Sequence, residues 1–257
     1  MRQSRRTDRS RLSTTRLRRA ATAAQLAVVM AAAGTAIATP AHAVSSSATC
    51  PRVIVIGVRG TDEAAGSGGG SYDYATGGFG GRLNLTSTVV TGTPLTARRT
   101  GLKYPAKAIA PIYPISQGQG TTNLKNLVTS LGTTCSSSTR FVLVGYSQGA
   151  HVIGDALASD SGNRIAATYR NRIAAVVFFG DPTYRVGEPF NAGGGTRNGT
   201  WPRAVGVLSE FNSRLRSYCY ANDRWCQNIS DPGDVHGTRY QTSAVQTAAK
   251  DFILARL

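Results

Sequence analysis

The chain has 257 residues, of which 41% are hydrophobic, enough to bury the core of one large domain or two small ones, and this excludes a disordered chain. The formal net charge is +16, but eight arginines lie within the first 19 residues, so much of the excess belongs to that end. No basic-aromatic stripe or recognition-helix pattern follows, which argues against nucleic-acid binding.

The N-terminal region has the three parts of a secretory signal peptide. The arginine-rich start is followed by a largely apolar run over residues 20–38 and by Ala41-His42-Ala43, a small-x-small cleavage site. A membrane-spanning helix is the alternative, but Ala and Thr dominate this run rather than Leu and Ile. We therefore expect residues 1–43 to be removed on export. The product would be a secreted monomer without a stable membrane span, either extracellular or associated with the cell wall.

Strands and helices alternate along residues 44–257. Apolar, β-branched runs at residues 53–58, 141–144 and 173–179 are typical of strands that are covered on both faces. Residues 122–131, 150–159 and 240–257 are predicted to form helices. This alternation predicts an α/β fold with a mostly parallel sheet between two layers of helices. Without an internal repeat or a linker, we expect residues 44–257 to form a single domain.

A glycine-rich segment at residues 66–81 interrupts this pattern. Eight glycines alternate there with small residues and with three aromatic residues, Tyr72, Tyr74 and Phe79. The segment lacks the Gly-Lys-Ser/Thr ending of a phosphate loop and the context of a dinucleotide fingerprint, which argues against nucleotide binding. It is predicted to be either a mobile surface loop or part of the rim of a substrate cleft.

The segment Gly145-Tyr146-Ser147-Gln148-Gly149 has the spacing of a nucleophile elbow, a sharp turn between a strand and a helix. Glycine is needed two residues before and two residues after the serine, because the chain there passes too close to itself for side chains. The turn would present the hydroxyl at the carboxyl edge of the sheet, beside a helix N-terminus that favours negative charge. Ser147 is therefore the candidate nucleophile.

A serine nucleophile needs a general base, and the chain has only three histidines. His42 lies in the expected signal peptide. His151 follows Ser147 by one helical turn, and we expect it to be a packing residue beneath the serine that does not face the substrate. His236 is the candidate base, because it follows the serine in the chain order of α/β-hydrolases.

Four aspartates compete to orient the imidazole of His236: Asp181, Asp223, Asp231 and Asp234. Asp223 is favoured because it lies between Cys219 and Cys226, and a disulfide between them would fix its carboxylate beneath the histidine. The residues on either side of Pro232-Gly233 are expected to form a turn.

The expected mature chain keeps four cysteines, which fit two disulfides in an oxidising compartment: Cys50, Cys135, Cys219 and Cys226. A zinc site is the alternative, but it would need two short Cys-x-x-Cys pairs, and the sequence has none. We therefore expect no metal.

Together these motifs resemble the cutinase family, which includes acetylxylan esterases and the cutinase-like esterases of actinobacteria. The similarity covers nearly all of residues 44–257 and rests on four fixed points: Arg59-Gly60-Thr61, Gly145-Tyr-Ser-Gln-Gly149, Cys219-x-x-x-Asp223-x-x-Cys226, and His236 ten residues beyond the last cysteine. The resemblance implies a three-layer α/β/α sandwich of the α/β-hydrolase type and no cofactor. It also implies the disulfides Cys50–Cys135 and Cys219–Cys226, and an oxyanion hole made by the backbone N–H groups of Thr61 and Gln148.

The resemblance implies a serine esterase that forms an acyl-enzyme, which water then hydrolyses. Residues 227–235, beside the candidate base, offer only Ile229 and Val235 as apolar side chains, so we expect esters with short to medium acyl chains, in cutin-like polyester or acetylated polysaccharide. Apolar contacts from Tyr72, Tyr74, Phe79 or Phe190 are an alternative. A cell-envelope lipase, phospholipase or acyltransferase would carry the same triad. The intact set of catalytic residue types argues against a non-catalytic binding module.

Overall fold

The computed structural model describes residues 50–257 except 82 and 109–111. The expected signal peptide, with His42, and the start of the expected mature chain lie outside the described residues. Among the helices that are described, none combines the length and the apolar character needed to cross a lipid bilayer.

The described residues form one central sheet of seven strands: β1 (Val53–Val58), β2 (Asp73–Tyr74), β3 (Ala97–Leu102), β4 (Arg140–Tyr146), β5 (Ile173–Phe179), β6 (Asn191–Ala192) and β7 (Leu215–Tyr218). Their spatial order is β2-β3-β1-β4-β5-β7-β6. The short β2 pairs antiparallel with β3, and the other neighbours pair in parallel. The predicted mostly parallel sheet is therefore confirmed.

The helices are α1 (Leu85–Gly92), α2 (Ile112–Thr134), α3 (Gln148–Leu157), α4 (Ala167–Arg170), α5 (Val235–Thr238) and α6 (Ser243–Leu254). The α2 helix begins well before the predicted residue 122, because its glycine-containing first turns are held by packing that local propensity does not reveal. A Cβ on Gly120 would lie only 2.6 Å from Val152 of α3. The final helix begins later than predicted, since Tyr240 lies in a 3₁₀ turn that buries its ring in the core.

Alternate side chains of the central strands belong to opposite faces of the sheet. In β1, Ile54 and Ile56 share a buried cluster with side chains of α2 and α3. Val53 and Val55 instead share a cluster with side chains of α1 and α6. Full burial of one such side chain stabilises the fold by roughly 1.5 to 3 kcal/mol. Because both faces are covered in this way, the molecule is the expected three-layer α/β/α sandwich.

Both disulfides implied by the family resemblance are present. Cys50–Cys135 ties the segment before β1 to the residue after α2, with the two Cα atoms 5.5 Å apart. Cys219–Cys226 closes a short loop after β7, with its Cα atoms 5.9 Å apart. Each of the four cysteines thus belongs to one of two disulfides, and none is free to act as a thiolate ligand of zinc.

The glycine-rich segment, residues 66–81, is more ordered than a plain surface loop. It contains β2, which extends the sheet at β3. It also packs closely on the strands, because a Cβ on Gly57 would lie 3.0 Å from the carbonyl oxygen of Phe79. This segment therefore forms one edge of the sheet and also packs against β1.

The loops after β1, β4, β5 and β7 all leave the same edge of the sheet. These four strands are parallel neighbours, so that their carboxyl ends lie side by side. Ligands of open α/β sheets bind at such an edge. The fold therefore brings Thr61, Ser147, Asp181 and Asp223 to one region of the molecule.

Candidate active site

Ser147 occupies the sharp turn between β4 and α3 that the sequence predicted. Its backbone has φ 52° and ψ −120°, a conformation that non-glycine residues rarely adopt and that costs about 1 to 3 kcal/mol. The backbone N–H of Ser147 donates a hydrogen bond of 2.8 Å to the carbonyl of Phe179, which ties the turn to β5. The residue is 9% exposed. The elbow is therefore strained, anchored and still open on one side.

The two flanking glycines are required because the backbone passes too close for a Cβ. A Cβ on Gly145 would lie 2.7 Å from the backbone nitrogen of Ala150. A Cβ on Gly149 would lie 2.0 Å from the carbonyl oxygen of Val58 at the end of β1. The second clash is with a neighbouring strand rather than with the elbow, so Gly149 also sets how closely α3 approaches the sheet.

His236 lies between Ser147 and Asp223, with both hydrogen bonds formed. Its Nε2 is 2.9 Å from the Ser147 Oγ. Its Nδ1 is 2.9 Å from Oδ2 of Asp223 and 3.0 Å from Oδ1. A carboxylate at Nδ1 favours the tautomer with the proton on that nitrogen, which leaves the Nε2 lone pair for the serine hydroxyl.

Asp223 is fully buried and is held by donors from three directions. The backbone N–H groups of Trp225 and Cys226 donate to Oδ1 at 2.8 and 2.9 Å. The Tyr240 hydroxyl donates to Oδ2 at 2.5 Å. Burial raises the pKa of Asp223, but the hydrogen bonds and charge of His236, with the donors of Tyr240 and Cys226, outweigh it, so the pKa lies below its ordinary value. The carboxyl group is therefore kept ionised.

The loop that carries His236 is fixed by its own acidic residues. Asp231 accepts hydrogen bonds from the backbone N–H groups of Val235, at 2.6 Å, and His236, at 2.9 Å. Asp234 caps α5 by accepting from Gly237 N–H at 3.1 Å. Both aspartates thus shape the turn as expected.

Asp181, the other candidate for orienting the histidine, faces a different partner. Its carboxylate forms an ion pair of 2.6 Å with the guanidinium of Arg203 and accepts the backbone N–H of Thr183 at 2.9 Å. Of the four aspartates that the sequence left in competition, Asp223 is the one whose carboxylate is bonded to the His236 ring.

Thr61 and Gln148 are the residues that the family resemblance assigns to an oxyanion hole. Gln148 is the first residue of α3, where backbone N–H groups have no intrahelical acceptor. Its side-chain amide donates to the carbonyl of Lys107 at 3.1 Å. Thr61 follows β1 and lines the same cavity as Ser147. Their role as an oxyanion hole stays a prediction.

Arg59, two residues before Thr61, clamps this loop to the rest of the fold. It is 3% exposed and donates to the carbonyl oxygens of Leu102, Tyr104 and Glu63. The Arg59-Gly60-Thr61 motif is visible in the sequence, but it does not reveal a role for the arginine. Its contacts with Leu102 and Tyr104 lie more than 40 residues away along the chain, and no local pattern reveals them.

A cavity of about 940 Å³ opens beside Ser147 and His236. Its walls are mainly apolar and aromatic, with contributions from Tyr113, Pro114, Pro182, Trp201 and Trp225. The rings of Tyr113 and Trp201 are 5.0 Å apart, and those of Trp201 and Trp225 are 6.3 Å apart. The cavity is thus bounded by a continuous aromatic wall.

This aromatic wall was not predicted from the sequence. Among the described residues that line the cavity, none comes from the glycine-rich segment, so Tyr72, Tyr74 and Phe79 do not supply the apolar contacts. Phe190 is 5% exposed and belongs to the core. One signal in the sequence could have indicated the aromatic wall: Trp225 lies between Cys219 and Cys226 and close to Asp223.

His151 differs from its expected role in one respect. Its ring is hydrogen-bonded to neighbouring side chains, as expected of a packing residue, but the side chain is 15% exposed and lines the cavity. The expectation that it does not face this space was wrong, because residues four apart in a helix lie on one face, and the cavity extends along that face of α3.

Comparison with known proteins places these features in context. A family model described as Cutinase matches residues 49–257. The chain is 26% identical to acetylxylan esterase 2 of Talaromyces purpureogenus, over 82% of this chain and 91% of that protein. It is 31% identical to cutinase 11 of Verticillium dahliae over 69% of this chain, but it spans only 60% of that protein. The catalytic core domain of acetyl xylan esterase from Trichoderma reesei has a TM-score of 0.68 and 27% identity, covering 81% of this chain and 100% of that structure.

Proposed function

The chain belongs to the cutinase family and is a carboxylic ester hydrolase, and from this premise we propose that it cleaves esters through an acyl-enzyme on Ser147. The observation that carries the proposal is the position of the His236 imidazole, 2.9 Å from the Ser147 hydroxyl and 2.9 Å from the Asp223 carboxylate. This geometry suits a general base that is oriented by a buried carboxylate.

In the proposed reaction, Nε2 of His236 takes the hydroxyl proton as the Ser147 Oγ attacks the ester carbonyl. The tetrahedral intermediate then collapses, and the imidazolium returns the proton to the departing alcohol. Water attacks the resulting acyl-serine with the same base, and the carboxylic acid leaves. Asp223 stays ionised throughout and stabilises the imidazolium.

The oxyanion would be bound by the backbone N–H groups of Thr61 and Gln148. Backbone donors that are already fixed need no rearrangement when charge develops, and loss of one such donor typically lowers turnover by about 10²- to 10³-fold. The Arg59 clamp supports this role, because it immobilises the loop that presents the Thr61 N–H.

We propose short to medium acyl chains as the preferred substrates, as in an acetylated polysaccharide or a cutin-like polyester. The cavity that receives the ester is also lined by the polar residues Asp62 and Gln117. A long aliphatic chain would exclude water from these groups without replacing its hydrogen bonds, and this is unfavourable. An acetyl or butyryl group avoids that cost.

The acyl-chain preference can be measured with p-nitrophenyl acetate, butyrate and palmitate. We expect kcat/KM to be highest for acetate or butyrate and at least about tenfold lower for palmitate, because a single unpaired buried polar group costs about 1 to 3 kcal/mol. Concentrations are kept below the solubility limit of the palmitate so that aggregation does not set the result. Fastest cleavage of the palmitate would contradict the proposed preference.

Tyr240 is expected to contribute through its hydrogen bond to Asp223. Burial raises the pKa of Tyr240 well above its ordinary value, so the phenol remains a donor to the carboxylate at 2.5 Å. Tyr240→Phe should raise the pKa of Asp223 and lower kcat/KM by roughly 5- to 30-fold, the effect of 1 to 2 kcal/mol. The matched control is Tyr169→Phe. The Tyr169 hydroxyl lies 3.0 Å from the Thr133 hydroxyl, and neither residue lines the cavity. Equal rates for the two variants would contradict this role.

We also propose that residues 1–43 form a cleaved signal peptide, that residues 44–257 form one mature domain, and that this domain is a monomer outside the cell or at the cell wall. The two disulfides support export, because such bonds persist in oxidising compartments.

A further inference from the structure

A second group of hydrogen-bonded side chains lines the cavity and takes no part in the proposed mechanism. The Tyr113 hydroxyl is 3.2 Å from Nδ1 of His151. Nε2 of His151 is 3.3 Å from Oδ2 of Asp155, one turn further along α3. Tyr113 and His151 line the cavity that contains Ser147, whereas Asp155 is not among the residues that line it. The three residues thus form a chain from a half-buried carboxylate to a phenol at the cavity wall.

The charges behind His151 fix the carboxylate end of this chain. Burial raises the pKa of Asp155, but hydrogen bonding to His151 and the charge of Arg203 outweigh it, so the pKa lies below its ordinary value. The Arg203 guanidinium is 3.4 Å from Asp155 and 2.6 Å from Asp181, and it also donates to the carbonyl of His151 at 3.1 Å. Gln117 adds a further donor to Asp155 at 2.9 Å.

An ionised Asp155 determines where the proton of a neutral His151 lies. A carboxylate accepts hydrogen bonds only, so Nε2 of His151 must carry the proton, and Nδ1 is then an acceptor. The donor to Nδ1 is the Tyr113 hydroxyl, which burial keeps protonated by raising its pKa. With its own proton committed to His151, the phenol oxygen of Tyr113 offers only lone pairs to the cavity.

An acceptor on an otherwise aromatic wall distinguishes between substrates. The Trp201 ring lies 5.0 Å from the Tyr113 ring and 6.2 Å from the His151 ring, so the large aromatic surface of Trp201 lies next to this pair. A substrate that places a methyl group here displaces water without replacing its hydrogen bond, whereas a hydroxyl group restores the bond.

We propose that Tyr113 is a specificity-determining residue that accepts a hydrogen bond from a hydroxyl group of the ester substrate, and that Asp155, acting through His151, is a positioning residue for that phenol. This inference rests on the proposed function of Ser147. The hydroxyl belongs either to the alcohol part of the ester, as in a sugar or a polyol, or to the acyl part, as in a hydroxy acid.

Two pairs of isosteric esters test the proposal and distinguish the two sources. In the first pair, 2-hydroxyethyl butyrate and propyl butyrate differ only by a hydroxyl in place of a methyl group on the alcohol. In the second pair, ethyl 3-hydroxypropanoate and ethyl butyrate differ in the same way on the acyl chain. Both members of a pair use the same nucleophile and base, so the ratio of their kcat/KM values isolates recognition of the hydroxyl.

The ratio is that of kcat/KM for the hydroxyl ester to kcat/KM for the methyl ester. We expect Tyr113→Phe to lower this ratio by roughly 5- to 30-fold in at least one pair, mainly by raising the KM of the hydroxyl ester, because one hydrogen bond is lost. A change in the first pair assigns the hydroxyl to the alcohol, and a change in the second assigns it to the acyl chain. Tyr72→Phe, at a tyrosine outside the cavity lining, is the matched control. Unchanged ratios in both pairs would overturn the proposal, whether or not the absolute rates fall.

Asp155→Asn tests the positioning role. Without the carboxylate, either tautomer of His151 can form, and the phenol of Tyr113 is no longer held as an acceptor. The hydroxyl-to-methyl ratio should fall, by less than in Tyr113→Phe. A loss of rate that is equal for both esters would show that Asp155 only supports the structure.

Active sites are counted with a fluorophosphonate in every variant, so that misfolded protein does not enter the rates. Hydrolysis of propyl butyrate by the wild type, and its loss in Ser147→Ala, test the proposed function separately from this inference. If Ser147→Ala remains active, the proposed function fails; if only the ratios stay constant, the inference about Tyr113 fails.

Discussion

Replacing Ser147 with alanine is expected to lower kcat for p-nitrophenyl butyrate by about 10⁵- to 10⁶-fold, since nucleophile and base act as a unit in serine hydrolases. Without the Oγ atom, His236 has no hydroxyl to deprotonate at 2.9 Å, and no acyl-enzyme can form. The residual rate would come from the oxyanion donors and from binding alone. Initial rates under saturating substrate, together with labelling by a fluorophosphonate, measure the effect.

The matched control for this substitution is Ser130→Ala, at an exposed serine on α2. Both variants should show the same circular dichroism spectrum as the wild type, and only Ser147→Ala should lose labelling. Activity in Ser147→Ala within about a hundredfold of the wild type would mean that another group supplies the nucleophile, because general-base catalysis alone accounts for only about 10²- to 10⁴-fold.

The buried strands could be predicted from the sequence with little error. The predicted strands at 53–58 and 173–179 match β1 and β5 residue for residue, and β4 is longer than its prediction at both ends. A strand that is covered on both faces has an uninterrupted apolar sequence, which composition alone reveals. Helices were harder to delimit, because the first turns of α2 depend on contacts with α3 and not on their own periodicity.

The predicted triad residues could be found because each leaves a local mark in the sequence. The elbow around Ser147 has a fixed spacing of glycines, His236 was reached by elimination, and Asp223 lies between two cysteines. The structure brings all three within hydrogen-bond distance. Their catalytic roles, with those of Thr61 and Gln148, stay predictions that the variants address.

The supporting residues could not be found in this way. Arg59 and Tyr240 act through contacts with atoms that are distant in sequence or on another element, and an isolated tyrosine or arginine has no motif. Tyr113 and Trp201 form part of one wall although 88 positions separate them, a proximity that only the packing of α2 against the loop after β6 creates. Position within the fold, rather than residue type, determines what these side chains contact.

Asp223→Asn is expected to lower kcat by about 10⁴-fold while leaving the position of His236 nearly unchanged. An asparagine amide can donate to Nδ1, which would place the imidazole proton on Nε2, facing the serine. His236 would then be unable to accept the Ser147 proton, and the imidazolium formed during the reaction would lose its buried counter-charge. Rates with p-nitrophenyl butyrate measure the loss, and Asp251→Asn, at an exposed position on α6, is the matched control. Asp181→Asn tests the alternative orienting residue. A larger loss of kcat in Asp181→Asn than in Asp223→Asn would assign the orienting role to Asp181.

The substitution Asp223→Asn also affects the stability of the fold, by an amount that depends on pH. The pKa of Asp223 in the folded state is lowered, so its carboxylate stabilises the fold at pH values above its unfolded pKa of about 3.9, and this contribution is lost as the pH falls towards the folded value. The asparagine variant lacks that contribution at every pH. We therefore expect the difference in unfolding free energy between the wild type and Asp223→Asn, measured by urea denaturation, to be constant at neutral pH and to narrow below about pH 3.9. A difference that widens under acid conditions would mean that burial, rather than hydrogen bonding and charge, dominates the pKa of this carboxyl group.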